Sequence, residues 1–196
     1  MQTSRDKLIA AGSELFLIHS YQGTGINEVL KACGVPKGSF YNYFASKEEF
    51  ALAVIEFQME QSAEFVMQNL CNEGLSPLSR ISAYLDTIGQ GMVNCHFAMG
   101  CIFGTLAQEM ASLSPKLREA LTRAFQVQVD HLTDCLRLGQ EQGEIKAEVK
   151  PVEMAGFIMS ALQGAQIMAK TFVSGEPLRE VHHIIIDILL PVSNNQ

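Results

Sequence analysis

The feature of this sequence that most constrains its fold is the spacing of its apolar residues, which recur every three to four positions along the chain. The first series comprises Leu8, Ala11, Leu15 and Phe16. This spacing is the period of an amphipathic α-helix, and no run of alternating β-branched residues bounded by turn signals interrupts it. The sequence therefore predicts an all-α fold of about nine helices.

Glycines and prolines divide this helical pattern into segments. The predicted helices span, in order, residues 4–20, 26–33, 37–43, 46–71, 77–95, 101–112, 115–143, 151–172 and 177–190. Ser4 is the expected N-cap of the first helix, Pro36 suits the first turn of the third, and Ser46 with Glu49 predicts a capping box for the fourth. Two short helices joined by a tight glycine-containing turn and braced by a longer helix make a helix-turn-helix unit.

The charges of the chain are unevenly distributed. A net charge of −7 would by itself argue against a nucleic-acid partner, because Lys and Arg supply most of the non-specific affinity for phosphates. Residues 1–47, however, hold five cations and three anions, which leaves 9 of the 14 cations and 18 of the 21 anions to the rest of the chain. The N-terminal end is therefore able to face DNA while the remainder repels it.

The segment 25–50, GINEVLKACGVPKGSFYNYFASKEEF, carries residues suited to reading DNA. Phe40 and Phe44 stand four positions apart, which predicts that both lie on the buried face of the third helix. The outward positions are then Lys37, Gly38, Ser39, Tyr41, Asn42 and Tyr43. An amide can read an adenine edge, hydroxyls suit phosphates, and a glycine permits close backbone approach. The alternative is an ordinary helical hairpin with two exposed tyrosines.

This segment closely resembles the helix-turn-helix of the TetR family of transcriptional regulators. The base-edge residues that the resemblance implies are Lys37, Ser39 and Asn42, and the phosphate-binding residues are Thr24, Tyr41, Tyr43 and Lys47. Thr24 and Lys47 are also expected at helix N-termini, where free N–H groups favour anions. The resemblance divides the chain into a DNA-binding domain of residues 1–47 and a ligand-binding and dimerisation domain of residues 48–196.

The last two predicted helices have the composition of a dimer interface. Helix 151–172 carries two ridges of small residues at a spacing of four: Gly156, Ser160 and Gly164 on one, and Ala161, Ala165 and Ala169 on the next. Small residues let a second helix approach closely, so these helices predict a homodimer through a four-helix interface. A two-fold protein reads a roughly palindromic operator. The alternative is that both helices complete the core of a monomer.

The predicted helix 101–112 carries the candidate effector site. Cys101, Thr105 and Gln108 share one helix face amid phenylalanine and methionine, which is typical of a mostly apolar pocket with a few polar contacts. The Gly-Cys pair resembles that of the TetR repressors that sense reactive electrophiles, of the N-ethylmaleimide-responsive type. That resemblance implies that the cysteine acts with a lysine, for which we identify Lys170, the only cation between Lys150 and Arg179. Alternatively, Cys101 is a small buried hydrophobe.

The expected function is a DNA-binding transcriptional regulator, a repressor that a small molecule or an electrophile releases from its operator. The alternatives are the same regulator with a reversible apolar ligand, a DNA-binding protein without a ligand, or a cysteine-dependent helical enzyme. No orienting triad or phosphate loop accompanies Cys101, so the sequence predicts no enzyme and no cofactor. His131 and Cys135 share a helix face, but two ligands are too few for a metal site.

The sequence also predicts a cytoplasmic protein with no membrane partner. No apolar run approaches the roughly 18 to 20 residues that a bilayer span needs. The N-terminal segment keeps Asp6 and Glu14 inside an amphipathic pattern, unlike a secretory signal. The five cysteines are scattered without CxxC spacing, which fits a reducing compartment.

Overall fold

A computed structural model describes residues 3–192, apart from the side chain of Lys37. The regular structure of these residues is helical, with a single isolated antiparallel bridge between Ile145 and Pro191. The predicted all-α class is therefore confirmed. No helix within residues 3–192 is both long enough and apolar enough to cross a membrane.

The helices follow the predicted order. They are α1 (Ser4–Gly23), α2 (Ile26–Cys33), a 3-10 helix (Lys37–Asn42), α3 (Lys47–Asn69), α4 (Pro77–Asn94), α5 (Ile102–Met110), α6 (Pro115–Glu141), α7 (Pro151–Phe172) and α8 (Glu176–His183), which continues as a π-helical segment (Ile184–Leu189). Both ends of α2 and of α7 lie at the predicted residues. Gly34 ends α2 with a φ of 66°, a conformation that glycine adopts without steric cost.

The start of α1 differs from the prediction. Thr3, and not Ser4, is its N-cap: the Thr3 hydroxyl accepts a hydrogen bond from the Asp6 N–H at 3.2 Å, and the Asp6 carboxylate accepts from the Thr3 N–H at 3.0 Å. A reciprocal capping box needs an acceptor side chain three residues after the cap. Thr3 has Asp6 at that distance, whereas Ser4 has Lys7, which only donates.

The third helix also differs. It is a 3-10 helix that ends at Asn42, and Pro36 precedes it as the N-cap residue instead of lying in its first turn. One half of the predicted capping box is confirmed, because the Ser46 hydroxyl accepts a hydrogen bond from the Glu49 N–H at 3.1 Å. The Glu49 carboxylate, however, accepts from the Ala45 N–H at 2.9 Å, one residue before the predicted cap. The turn between these helices is thus closed by local contacts.

The chain forms two compact units. The first comprises the residues up to Ser62 together with Cys101–Phe125, and the second comprises Ala63–Gly100 together with the residues from Gln126 onward. Helix α5, which carries the candidate effector residues, therefore belongs to the same compact unit as the N-terminal helices. The predicted boundary at residue 47 divides DNA binding from ligand binding and not one compact unit from another, so it stays a prediction.

Aromatic residues fill the core of the first unit. Phe16, Phe40 and Phe50 are fully buried, and the hydrophobic cluster around them extends to Phe103 and Leu106 of α5. Gly12 permits the close approach of α1 to α3, because a Cβ at this position would lie 2.2 Å from the Phe50 ring. The core of the N-terminal helices and the packing face of α5 are therefore one continuous cluster.

The second unit has a polar contact within its core. Tyr84 of α4 is fully buried, and its hydroxyl donates a hydrogen bond to Gln128 Oε1 of α6 at 3.0 Å. The Tyr84 and Phe65 rings lie 5.3 Å apart. A buried hydroxyl that is hydrogen-bonded avoids the desolvation cost of an unpaired one, so this contact fixes α4 against α6.

Candidate DNA-binding surface and effector site

Three phenylalanine rings hold the 3-10 helix Lys37–Asn42 in place. This helix carries the predicted base-reading residues and is called the reader helix below. The ring centroids of Phe40, Phe44 and Phe50 lie 5.4, 5.3 and 5.1 Å apart, and the pairs are tilted or edge-on. Such aromatic pairs add about 0.5–1.5 kcal/mol each beyond the burial of their surface. The Arg5 guanidinium lies 5.5 Å from the centroid of the Phe44 ring and covers the edge of this cluster. A helix of only two turns is thus fixed by its buried face.

The opposite side of the reader helix presents polar groups to solvent. Gly38, Asn42 and both tyrosines are exposed, Tyr41 to 65% and Tyr43 to 43%, and Ser39 is half-buried. The predicted contact of Lys37 with a base edge involves its side chain, which lies outside the described part of the structure. The remaining predicted residues of this helix are therefore brought together on a surface that DNA can approach.

Thr24, a predicted phosphate-binding residue, is held against α1. Its side chain is buried, and its hydroxyl donates hydrogen bonds to the carbonyl oxygens of Ser20 at 2.7 Å and Leu15 at 3.2 Å. These hydrogen bonds tie Thr24 to the C-terminal half of α1. The predicted role of Thr24 in phosphate binding stays a prediction.

Lys47 is held against the end of α1. Its ammonium donates a hydrogen bond to the Tyr21 carbonyl and lies 4.3 Å from the centroid of the Tyr21 ring. Burial lowers the pKa of Lys47, and the Glu109 carboxylate acts in the opposite direction. Burial also disfavours the charged form of Tyr21 and so raises the pKa of its hydroxyl. Sequence reasoning missed this contact because it joins residues 26 positions apart.

Glu109 of α5 is a second residue that the sequence did not single out. Its carboxylate accepts hydrogen bonds from the Ser20 hydroxyl and from the Gln22 N–H, the latter at 3.0 Å. Ser20 has a φ of 61° and a ψ of −176°, a conformation that costs a residue other than glycine about 1–3 kcal/mol. Helix α5 therefore holds the strained end of α1, the same segment that binds Lys47.

Two of the three predicted effector residues on α5 lie together. Cys101 is the half-buried N-cap residue of α5, and the Thr105 hydroxyl donates a hydrogen bond to its carbonyl oxygen at 3.0 Å. Gln108 is exposed. Cys101 and Thr105 are therefore adjacent at the start of α5, and the effector role of all three residues stays a prediction.

Lys170 lies in the second unit, exposed in the last turn of α7. One turn earlier, Gln166 is buried, and its Oε1 is 3.8 Å from the position that a Cβ on Gly100 would take. Gln166 is another residue that the sequence did not single out, since nothing in its neighbourhood distinguishes it from a solvent-facing amide. The predicted pairing of Lys170 with Cys101 stays a prediction.

A face of α7 carries exposed apolar side chains. Its members, with two from the π-helical segment, are Phe157, Ile167, Met168, Phe172, Ile184 and Ile188. Ser160 and Gly164 of the first predicted ridge are exposed on this helix, whereas Ala165 and Ala169 of the second ridge are buried within the unit. Only the first ridge is therefore available to a partner.

An open cleft of about 700 Å³ lies between α4 and α8 in the second unit. Its polar lining includes Asp86, Gln90, Arg179 and His182. His182 Nε2 is 2.8 Å from Ser82 Oγ and 3.4 Å from Asp86 Oδ1. His182 thus takes part in a polar contact between two helices.

Comparisons with known proteins identify the family. Residues 8–54 match the model of the bacterial regulatory proteins of the tetR family, and residues 77–185 match that of the tetracyclin repressor-like C-terminal domain. The transcriptional repressor DhaR of Mycobacterium sp. strain GP1 is 30% identical over 97% of this chain and 94% of its own length. The repressor NemR of Escherichia coli is 30% identical over 89% of this chain and 88% of its own.

Solved structures agree with these matches. The crystal structure of the regulatory protein TetR from Rhodobacter sphaeroides has a TM-score of 0.90 and 32% identity, covering 95% of this chain and 98% of that one. The structure of E. coli NemR in its reduced form has a TM-score of 0.85 and 29% identity, covering 97% and 98%. The chain therefore belongs to the TetR family of bacterial regulatory proteins and is a helix-turn-helix transcriptional regulator, similar to NemR.

Proposed function

We propose that this regulator is a repressor that binds a roughly palindromic operator as a homodimer and leaves it when an electrophile or small molecule acts at the start of α5. The observation that carries the proposal is the hydrogen bonding of Glu109, on α5, to Ser20 and Gln22 at the end of α1. The helix with the candidate effector residue is thereby tied to the helix that supports the reader. The printed names of DhaR and NemR, both repressors, support the direction of regulation.

In the DNA complex, Asn42 and Ser39 contact base edges together with Lys37, and Tyr41 and Tyr43 bind phosphates. The exposure of Asn42 and the two tyrosines supports these roles. Gly38, also exposed, lets the backbone approach the groove. Lys47 binds phosphate from the N-terminus of α3, where free N–H groups add to the attraction. The cytoplasm is the compartment in which such a protein meets its operator.

The dimer forms through α7 and α8. The exposed apolar side chains of α7 would be covered by a second copy, and the exposed Gly164 allows the two copies of the helix to approach closely. The two copies of the reader helix then occupy successive major grooves, about one turn of DNA apart.

Release begins with a change at Cys101. Conjugate addition of the thiolate to an α,β-unsaturated carbonyl forms an S–C bond and saturates the double bond, so that a larger group replaces a half-buried thiol. Displacement of α5 alters the contacts of Glu109 with α1, and the end of α1 also binds Lys47. A shift of a few ångströms in the reader helices is enough to lose the operator spacing.

Lys170 acts with Cys101 in this proposal, since a cation favours the thiolate form of a cysteine. The support is the resemblance to the electrophile-sensing repressors, together with the similarity to NemR over nearly the whole chain.

A reversible ligand is the second candidate effector. The buried amide of Gln166, close to Gly100, supports it, because a buried amide in an apolar setting is the type of group that orients a small ligand. Such a ligand would work through the same helices without thiol chemistry.

The proposed DNA binding is tested by footprinting on the DNA upstream of the chain's own gene. The expected result is a protected, roughly palindromic site whose half-sites lie about one helical turn apart, bound by two copies of the chain. Binding that is indifferent to sequence, or protection of a single half-site by a monomer, would contradict the proposal.

A further inference from the structure

The inference concerns the turn between α3 and α4, at a distance along the chain from the Cys101 region. Cys71 lies in this turn, half-buried, and its Sγ is 3.8 Å from Nδ1 of His131 on α6. Cys135 follows His131 by one helical turn, and its thiol donates a hydrogen bond to the Pro77 carbonyl at 3.3 Å. One imidazole and two thiols of the second unit are therefore grouped where α3 ends and α4 begins.

The partners of the half-buried cysteines distinguish Cys71 from two others. Cys33 and Cys95 are also half-buried, but their thiols donate to backbone carbonyls: Cys33 to Leu30 at 3.6 Å, and Cys95 to Met92 at 3.3 Å. A carbonyl oxygen accepts only from the protonated thiol and so stabilises the unreactive form. An imidazole nitrogen, in contrast, can accept the thiol proton.

Cys135 does not compete for the same reaction. It is buried, and burial raises the pKa of its thiol to about 11, so that the protonated form predominates at neutral pH.

We propose that Cys71, paired with His131, is a second nucleophilic thiol of this regulator and forms covalent adducts with small α,β-unsaturated carbonyl compounds. His131 Nδ1 takes the thiol proton as Cys71 Sγ bonds to the β-carbon of the acceptor. The electron pair of the carbon–carbon double bond moves toward the carbonyl to give an enolate, and the imidazolium returns the proton to the α-carbon. The net reaction adds the thiol S–H across the double bond and needs no further reactant.

The site is independent of the proposed role of Cys101, and its test is a labelling rate and not operator release. The full-length Cys101→Ser variant is treated with limiting N-ethylmaleimide, and the label on each remaining cysteine is followed in time by mass spectrometry. Cys71 is expected to react about tenfold faster than Cys33 and Cys95, a modest share of what a positioned base contributes. Cys33 and Cys95 are half-buried like Cys71 and therefore serve as internal controls.

A second arm replaces the base. In the double variant Cys101→Ser, His131→Gln, labelling at Cys71 is expected to slow about tenfold while the rates at Cys33 and Cys95 stay unchanged. Faster labelling at Cys71, Cys33 and Cys95 together would indicate that the double variant has lost its fold. The proposal is then decided by the comparison of the three rates in the Cys101→Ser variant. Equal rates for Cys71, Cys33 and Cys95 in the Cys101→Ser variant, or an unchanged Cys71 rate without His131 in the folded protein, would overturn the proposal.

Discussion

The DNA reader and the effector region of this protein are built in opposite ways. The reader draws its buried phenylalanines and its exposed polar residues from one contiguous segment, with Phe40 and Asn42 two positions apart. The candidate effector residues come from two compact units, with Cys101 in the first and Lys170 in the second. A contiguous site is legible in a sequence because its geometry follows from local spacing, whereas a dispersed site depends on tertiary contacts that spacing does not encode.

The largest expected effect separates the two faces of the reader. Phe40→Ala removes a fully buried ring that packs on Phe44 and Phe50, which should lower the free energy of unfolding by about 3–5 kcal/mol. Tyr41→Ala, next in sequence but exposed, loses an edge-on contact with the Phe40 ring and should lower it by no more than about 1.5 kcal/mol while weakening operator binding. Urea denaturation of both variants measures the difference. Similar losses of stability would mean that the reader is not divided into a packing face and a DNA face.

The second prediction concerns the dimer interface of the effector half. A Cβ at Gly164 meets no atom within 4 Å in the protomer, so Gly164→Leu should leave the monomer fold intact. In a dimer through α7 the added side chain overfills the interface. This should destabilise the dimer by about 1–3 kcal/mol for each of the two copies. Sedimentation should therefore detect monomers at concentrations where the unmodified protein is dimeric.

The matched control for this substitution is Gly91→Leu on α4, where an added Cβ also meets no atom within 4 Å. It introduces the same side chain at another exposed helical glycine and should leave the dimer unchanged. If Gly164→Leu also remains dimeric, the interface does not include the exposed ridge of α7.

The third prediction sharpens the division of labour within the reader. Asn42→Ala should cost about 1–3 kcal/mol on the operator and little on random DNA, because it removes a contact to a base edge. Lys47→Ala should weaken binding to both DNAs alike. It should also reduce the slope of log affinity against log salt concentration by about one. Fluorescence anisotropy at several salt concentrations separates the two patterns. Equal losses on both DNAs for Asn42→Ala would remove it from base reading.

The fourth prediction addresses the connection between the two regions. Glu109→Gln removes the charge of the carboxylate that binds Ser20 and Gln22, and should weaken operator binding by about 1 kcal/mol. Glu119→Gln is the control, since Glu119 is exposed and forms its ion pair with Arg123 of the same helix at 3.1 Å. Equal operator affinity for both variants, measured by anisotropy, would show that α5 does not act on the reader through Glu109.

Local signals accounted for most of the fold. Both ends of α2 follow from residues that the pattern contains, with Gly34 at the left-handed position after its last turn. The cap of α1 was misplaced by one residue because Thr3 and Ser4 are both good caps, and only Asp6 distinguishes them. The 3-10 geometry of Lys37–Asn42 was also missed, since apolar spacing over six residues does not separate it from an α-helix.

Long-range contacts limited the prediction of the sites. The inward hydroxyl of Thr24 depends on where α1 ends, and the contact of Lys47 with Tyr21 depends on how α1 meets α3. Glu109 binds residues 87 and 89 positions away, a separation at which no periodicity carries information. Residue type predicted which side chains can bind DNA or react, but tertiary packing decides which of them are available.

The central claim, that operator release begins at Cys101, is tested most directly by following operator release with N-ethylmaleimide for the unmodified protein, Cys101→Ser and Lys170→Met. Anisotropy of a labelled operator gives the rate and extent of release, and hypochlorite serves as a second reagent. The account predicts rapid release for the unmodified protein, slower release for Lys170→Met, and persistent binding for Cys101→Ser. Release of Cys101→Ser at the rate of the unmodified protein would contradict the claim that release begins at Cys101.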